Sequence, residues 1–479
     1  MQRVFITACG TVSALGFSLD DINSSFVKAA SGIRKISLFD TARLKTDSAG
    51  QVSRKTLFDK LRIKSIKTPF FRQPVTIEDN PKLAFALWAC ARALNFDFSC
   101  FAPGAHITSD SLDSIVSQGL YRPDFNRQIK IYSTAGLEKI DLNALEKFDL
   151  NSPENYSSSN QNDRHDRHDR PDLTNPLCPE IPPCFTGRVL SWFFNCTDYA
   201  PVTFASACAA STQAIGEAFR DIKSGLIPLA LAGGTDSMLF EFGINAFNSI
   251  GALAEKEHAS NFSANASGTV SCIRPFDKKR SGTLLGEGAA YFLLESENSL
   301  KASKNIPLAE IIGYASSLDA FHPVKPHPGG EGAARAIAAA IEDSGLKADS
   351  ITYINAHGSG TRHNDTAETL AIKSAFKEKS KKIKISSTKP FHGHLLTAGG
   401  AMETAAVLSA LKHNYLPFTL NLTDPDPECD LDYMPFQSSL CSDFQHNSKV
   451  QGPGANMVCM NNSFGLNGQN GVLIIKKSG

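Results

Sequence analysis

The sequence predicts an α/β fold built from two similar halves. Two observations carry that prediction. Runs of β-branched and apolar residues ending in small-residue turns alternate with helical patterns, and the same order of elements occurs twice along the 479 residues. In the first half, strands are expected at 3–7, 128–133, 202–206 and 229–233. A helix is expected at 82–94, where Leu83, Ala84, Ala86, Leu87 and Cys90 fall on adjacent turns. Another follows Cys208, where Ala214, Ile215, Ala218, Phe219 and Ile222 recur at helical spacing. In the second half, 306–313 repeats the opening strand and 332–346 is an Ala-rich helix. Residues 351–356 form a strand ending in a glycine-rich turn, and 383–387 form another, leading into a turn and helix. The halves divide as 1–255 and 256–479.

Lys+Arg and Asp+Glu balance at 48 each, so no global charge points to a nucleic-acid partner or an anionic membrane. No run of about 18 apolar residues is present, so no integral membrane segment is expected. The start, Met1-Gln2-Arg3-Val4-Phe5-Ile6-Thr7, reads as a strand rather than a signal peptide. Eleven cysteines without a regular framework suggest reduced thiols, and the expected location is cytoplasmic. The stretch 152–183 is rich in Ser, Asn, Asp and Pro, with the near-repeat Asp163-Arg164-His165-Asp166-Arg167-His168-Asp169-Arg170. It buries too little apolar surface to order itself and reads as a surface excursion. His165, His168, Cys178 and Cys184 match no familiar zinc spacing, so no metal is expected there.

Three segments carry chemistry. In Val202-Thr203-Phe204-Ala205-Ser206-Ala207-Cys208-Ala209-Ala210-Ser211-Thr212, a strand meets small residues and then a helix. Cys208 would sit at a tight turn by a helix amino terminus, where unpaired N–H groups favour a thiolate. The plain alternative is a small buried side chain, the common fate of free cysteine. In Asn355-Ala356-His357-Gly358-Ser359-Gly360-Thr361, the histidine ends a strand at a glycine-rich turn; its plain alternative is a ring satisfied by a backbone partner. Ser386-Ser387-Thr388-Lys389-Pro390-Phe391-His392-Gly393-His394 leads into a small-residue helix that contains Glu403. It puts Lys389 in an otherwise small and apolar segment, where a solvated surface lysine is not expected.

Taken together, these segments resemble the motifs of the elongating β-ketoacyl-acyl-carrier-protein synthases of the KAS I/II type, members of the condensing-enzyme (thiolase-like) superfamily. The carriers are Cys208 in SACAAS, His357 in NAHGSGT, and Lys389 with His394 in STKPFHGHLLTAGG. Arg274-Pro275-Phe276-Asp277 followed by Gly286-Glu287-Gly288-Ala289, Leu231-Ala232-Gly233-Gly234-Thr235-Asp236, and Asn462-Ser463-Phe464-Gly465 agree in family order. The match runs from about residue 200 to the end; residues 1–60 match loosely and 95–200 hardly at all.

The resemblance implies a duplicated five-layer αβαβα sandwich with two mixed sheets. It implies Cys208 as the nucleophile and His357 and His394 as donors to the charge formed when malonyl-acyl-carrier protein loses carbon dioxide. Lys389 and Glu403 would support the histidines. Ser359 and Thr361 would meet the pantetheine arm, and Phe464 and Leu466 would line the substrate pocket. No cofactor is implied beyond the phosphopantetheine arm of acyl carrier protein, the partner that delivers substrate. The assembly would be a homodimer, or a heterodimer with a ketosynthase-like paralogue. The glycine loop departs from the family's usual NSFGFGG: Leu466 stands in place of a phenylalanine and Asn467 in place of a glycine. The segment before Cys208, Gly187-Arg188-Val189-Leu190-Ser191-Trp192-Phe193-Phe194-Asn195, lacks the usual small-residue helix. A degradative thiolase would pair its nucleophile with a second cysteine in a carboxy-terminal motif, which Cys459 does not fit, and an initiating Cys-His-Asn synthase is disfavoured by Gly393-His394. A non-catalytic chain-length-factor-like subunit, the alternative of another class, would usually lack the nucleophile.

Overall fold

The computed structural model describes residues 1–70, 74–117, 126–136, 184–255, 273–435 and 457–478. The excursion at 152–183, with His165, His168 and Cys178, lies outside them.

Ten strands form the main sheet. The first five are β1 (Val4–Val12), β2 (Ile129–Thr134), β3 (Val202–Phe204), β4 (Leu229–Asp236) and β5 (Gly288–Ser296). The second five are β6 (Ala309–Leu318), β7 (Tyr353–Asn355), β8 (Lys384–Ser386), β9 (Val458–Phe464) and β10 (Gln469–Lys477). Their spatial order is β8-β7-β9-β10-β6-β1-β5-β4-β2-β3. The two sets have one plan: β2 lies parallel to β3 and β4, as β7 does to β8 and β9. The remaining pairs within each set are antiparallel, so each set is a mixed sheet. They meet where β1 pairs with β6 through Val4↔Ile311, Phe5↔Glu310 and Ile6↔Ala309. Glu310, nearly buried, pins this seam by accepting from Arg3 at 2.7 Å and Lys476 at 3.0 Å. Strand pairing places the change of sets between Ser296 and Ala309 rather than at residue 255, because β5 lies beyond 255 yet pairs with β1 and β4.

Helices separate and cover these sheets. α1 (Pro81–Ala93) opens with Pro81 and a side-chain cap from Asn80 to Leu83 N–H at 3.1 Å, the usual chemistry of a helix start. It packs outside the first set with α2 (Phe185–Phe193), which occupies the segment before Cys208. α3 (Ala210–Ser224) and α6 (Gly399–His413) pack on each other between the sheets. α6 is buried on every side from Gly399 to Leu411, as a helix in a central layer must be. α4 (Glu331–Asp343) and α5 (Arg362–Phe376) cover the second set. The layers therefore run α, β, α, β, α. Strand β1 extends past the expected 3–7, and β6 begins at 309 rather than 306. Both central helices begin at the reactive turns, so the core layer itself aims the site.

Candidate active site

Cys208 is the middle residue of the 3-10 turn Ala207–Ala209, between β3 and α3. Ala207 adopts φ 49°, a left-handed conformation that turns the chain sharply just before Cys208. His357 follows β7, and Gly358 next to it has φ 37°. His394 precedes the turn Leu396–Ala398 that opens α6.

These three side chains meet, each at most 7% exposed. His394 Nε2 is 3.1 Å from Cys208 Sγ, and the His357 and His394 rings lie edge to face at 5.2 Å. Phe464, buried, stands 6.2 Å from the His357 ring. Lys389 donates to the His357 carbonyl and pairs with Glu403; both side chains are 1% exposed. Its ammonium also faces His357 Nδ1 at 3.4 Å. An ammonium cannot accept, so Nδ1 is the acceptor and Nε2 carries the proton. Leu466, half-buried, directs its backbone N–H at the Cys208 sulfur. Gly465 lies so close that an added Cβ would stand 2.9 Å from Cys208 N. Ser359 Oγ and the half-buried Thr361 Oγ1 are 2.9 Å apart at the start of α5.

Burial pushes the Cys208 thiol up to about 11, against the opposing pull of Lys389 and the Leu466 N–H. The lowering expected from sequence is outweighed by desolvation. Burial also holds both imidazoles well below their ordinary range, helped by the nearby Lys389 charge. The site therefore rests as a neutral thiol beside two neutral imidazoles. Glu403 is raised to about 7 by burial, with Lys389 opposing.

The structure gathers Cys208, His357, His394, Lys389, Glu403, Phe464 and Leu466 around one buried centre and sets Ser359 against Thr361 at the start of α5. Sequence reasoning assigned nothing to Glu368, which lies 11 residues after His357. Glu368 accepts the N–H groups of His357 at 2.9 Å and Gly358 at 2.8 Å, and Asn462 Nδ2 at 3.2 Å. It thereby fixes the backbone that carries His357. Burial raises it to about 7. Asp365 similarly takes the N–H groups of Phe276 and Gly360. His392 stands apart: it bonds the Gly393 carbonyl at 2.7 Å and Thr388 Oγ1 at 3.1 Å, using both ring nitrogens. Among the described residues no cluster of His, Cys, Asp and Glu could hold a metal ion.

A layered, duplicated α/β fold with a buried thiol and two imidazoles meeting at the strand-to-helix turn of its first half is of the thiolase-like class. Comparison with known proteins narrows the class. Models of the β-ketoacyl synthase N-terminal and C-terminal domains match residues 151–299 and 308–423, together more than half of the chain. The 3-oxoacyl-[acyl-carrier-protein] synthase 2 of Synechocystis sp. is 40% identical over 288 residues, 59% of this chain and 61% of that protein. Its counterpart from Staphylococcus aureus is 36% identical over 272 residues, 57% and 60% of the two chains. The matched region thus spans about three fifths of these relatives' length. Among solved structures, the ishigamide ketosynthase/chain length factor superposes with TM-score 0.71 at 26% identity, and a β-ketoacyl synthase from Burkholderia phymatum with 0.70 at 25%; both alignments cover 100% of each chain. This chain belongs to the β-ketoacyl synthase family.

Proposed function

We propose that the chain is a β-ketoacyl-acyl-carrier-protein synthase, extending a carrier-bound acyl chain by decarboxylative Claisen condensation with malonyl-acyl-carrier protein. One observation carries this reading: Cys208 Sγ lies 3.1 Å from His394 Nε2, with His357 against the same ring and the Leu466 N–H aimed at the same sulfur. In the first half-reaction the thiol gives its proton to His394 Nε2 as Sγ attacks the acyl thioester carbonyl. The N–H groups of Cys208 and Leu466 hold the oxyanion. Collapse expels the pantetheine thiolate, which takes the proton and leaves an acyl-Cys208 thioester.

Malonyl-acyl-carrier protein then enters, its pantetheine arm along Ser359 and Thr361. As carbon dioxide leaves, the bonding pair moves to the thioester oxygen, where Nε2–H of His357 donates, joined by His394 once its ring proton has exchanged from Nδ1 to Nε2. The carbanion attacks the acyl-Cys208 carbonyl, and Cys208 departs as thiolate and is reprotonated. Lys389 and Glu403 hold His357 in its donating tautomer; Phe464 and Leu466 border the acyl chain. The carrier's arm is the only prosthetic group this chemistry needs. The product belongs to fatty acid or polyketide synthesis, aryl polyenes included. Likeness to a ketosynthase/chain length factor makes a heterodimer with a paralogue the alternative to a homodimer, and a cytoplasmic location is part of the same proposal.

Intact-protein mass spectrometry after incubation with acyl-carrier proteins loaded with chains of different length tests the reading. An acyl adduct on wild type and none on Cys208→Ala is expected. No adduct with any chain on a folded protein would instead favour a non-catalytic, chain-length-factor-like subunit.

A further inference from the structure

The two halves carry the same turn. In the first, β3 leads to Ala207–Ala209 and then α3; in the second, β8 is followed by Leu396–Ala398 and then α6. The middle residues are Cys208 and Thr397, and each follows a residue held at φ 49°, Ala207 and Leu396. The end of a strand from the opposite half closes over each turn. Gly465, just past β9, lies against the Cys208 backbone, and Asp236, the last residue of β4, meets Thr397. Thr397 therefore stands in the second half where the nucleophile stands in the first.

Asp236 is 1% exposed and fully engaged. Its Oδ2 accepts the Thr397 backbone N–H at 3.1 Å and the Thr397 hydroxyl at 2.8 Å. Its Oδ1 accepts Ser237 N–H at 2.8 Å and faces Lys82 Nζ of α1 at 3.4 Å. Gly136 packs against the carboxylate, since an added Cβ there would stand 2.7 Å from both oxygens. The charge also lies within electrostatic reach of the nucleophile, because it is one of the groups that raise the Cys208 thiol. Thr397 lies three residues beyond His394, across the left-handed Leu396. A non-glycine residue in that region persists only where its surroundings over-determine it. The two bonds from Asp236 to the next residue supply that constraint.

We propose that Asp236 and Thr397 are positioning residues for His394: the carboxylate, anchored by Lys82, clamps the Leu396–Ala398 turn and so sets the distance from Nε2 to Cys208 Sγ. The second half has converted its copy of the nucleophile turn into the support for the histidine that serves the first. A serine or threonine at the middle of this turn is required, because a hydroxyl is the donor that reaches the second lone pair of Oδ2.

The test uses the full chain as wild type, Thr397→Val and Thr397→Ser. Valine keeps the shape and the backbone bond while removing the hydroxyl donor; serine restores it. Alkylation of Cys208 by iodoacetamide, followed by intact mass with Cys208→Ala identifying the adduct, reads the thiol–imidazole geometry without any substrate. Malonyl-acyl-carrier-protein decarboxylation reads the donor role and rests on the proposed ketosynthase activity. Thr397→Val should slow alkylation about fivefold and decarboxylation about tenfold at unchanged KM, with Thr397→Ser within about twofold of wild type. Alkylation of Thr397→Val within twofold of wild type overturns the proposal, even if its melting temperature falls, since the hydroxyl would then serve stability alone. A wild type that is alkylated at Cys208 yet decarboxylates nothing overturns the proposed function instead, and alkylation alone then decides the positioning role. Asp236→Asn is the second variant; because losing its charge also lowers the Cys208 thiol, it is read by malonyl-acyl-carrier-protein decarboxylation, which should fall as in Thr397→Val, and an unchanged rate in the folded protein also overturns the clamp.

Discussion

Replacing Gly465 by alanine should disable acyl transfer while leaving the fold standing. Gly465 has φ −116° and ψ 169°, an extended conformation that alanine adopts freely, so the perturbation is steric alone. The new methyl would stand 2.9 Å from Cys208 N, 3.3 Å from Ala209 N and 3.4 Å from Ala207 Cβ. Carbon contacts settle near about 3.5 Å, so roughly 0.5 Å must be found between two rigid segments. Neither yields easily: Gly465 N–H bonds the Gln469 carbonyl at 2.7 Å, and Cys208 is held by the turn into α3. Separation opens the space between the Cys208 and Leu466 N–H groups, the pair assigned to the oxyanion. Loss of one such donor costs about 2.7–4 kcal/mol, or about 10²–10³ in rate, and a partial displacement should cost about 30–100-fold. Overpacking should destabilise by about 1–3 kcal/mol. Rapid-quench acyl transfer monitored by intact mass, with decarboxylation and thermal melting measured in parallel, separates these effects. Transfer should fall far more than decarboxylation, which depends on the histidines. A folded Gly465→Ala variant that transfers acyl groups within threefold of wild type would refute the oxyanion assignment.

Other expectations follow from the same geometry. Because burial holds the Cys208 thiol near about 11, its reactive thiolate fraction should rise about tenfold per pH unit below that value. Alkylation should therefore climb from pH 7 to 9.5 without a plateau; levelling off below pH 8.5 would mean a Cys–His ion pair. Lys389→Met strands Glu403, 1% exposed, and should destabilise by about 3–5 kcal/mol near neutrality. Removing the cation that lowers Glu403 raises a carboxyl already near about 7. A group raised in the folded state contributes stability below its unfolded value that is lost as pH rises through its folded value. The deficit should thus be smallest near pH 5 and largest near pH 8 by urea denaturation, and a pH-independent deficit would contradict the buried pairing. Asn467 holds φ 61° in the loop after Gly465; Asn467→Val should cost about 1–2 kcal/mol there. Asn467→Gly should leave stability nearly unchanged, and equal stability of all three proteins in the same denaturation would show that the turn relaxes.

What was legible in the sequence is what local chemistry writes there. The strand 129–134 announces itself by its β-branched residues, 229–236 by a short apolar run that ends in two glycines, and α3 by its apolar spacing. The nucleophile turn is a local pattern too, small residues around Cys208 between a strand and a helix. β5 and β9 were harder. β5 is buried at every position, so it shows no alternation. β9 carries Asn461, Asn462 and Ser463 fully buried, residues that propensity assigns to loops. Each of these side chains has at least one partner across the core, Asn462 Nδ2 on Glu368 and Ser463 on Thr212, while Asn462 Oδ1 is left without one among the described residues.

By itself, then, the sequence determined the α/β plan and singled out Cys208, His357 and His394, since each is marked by residues within a few positions of itself. Only the tertiary structure decided how they work together. Cys208 and His394 are 186 residues apart, and Asp236 and Thr397 are 161 apart. It also reversed the local forecast for the thiol. A helix amino terminus favours a thiolate, but the cost of desolvating a charge at a site nearly sealed from water is larger. Burial belongs to the whole fold, and no stretch of neighbours along the chain encodes it.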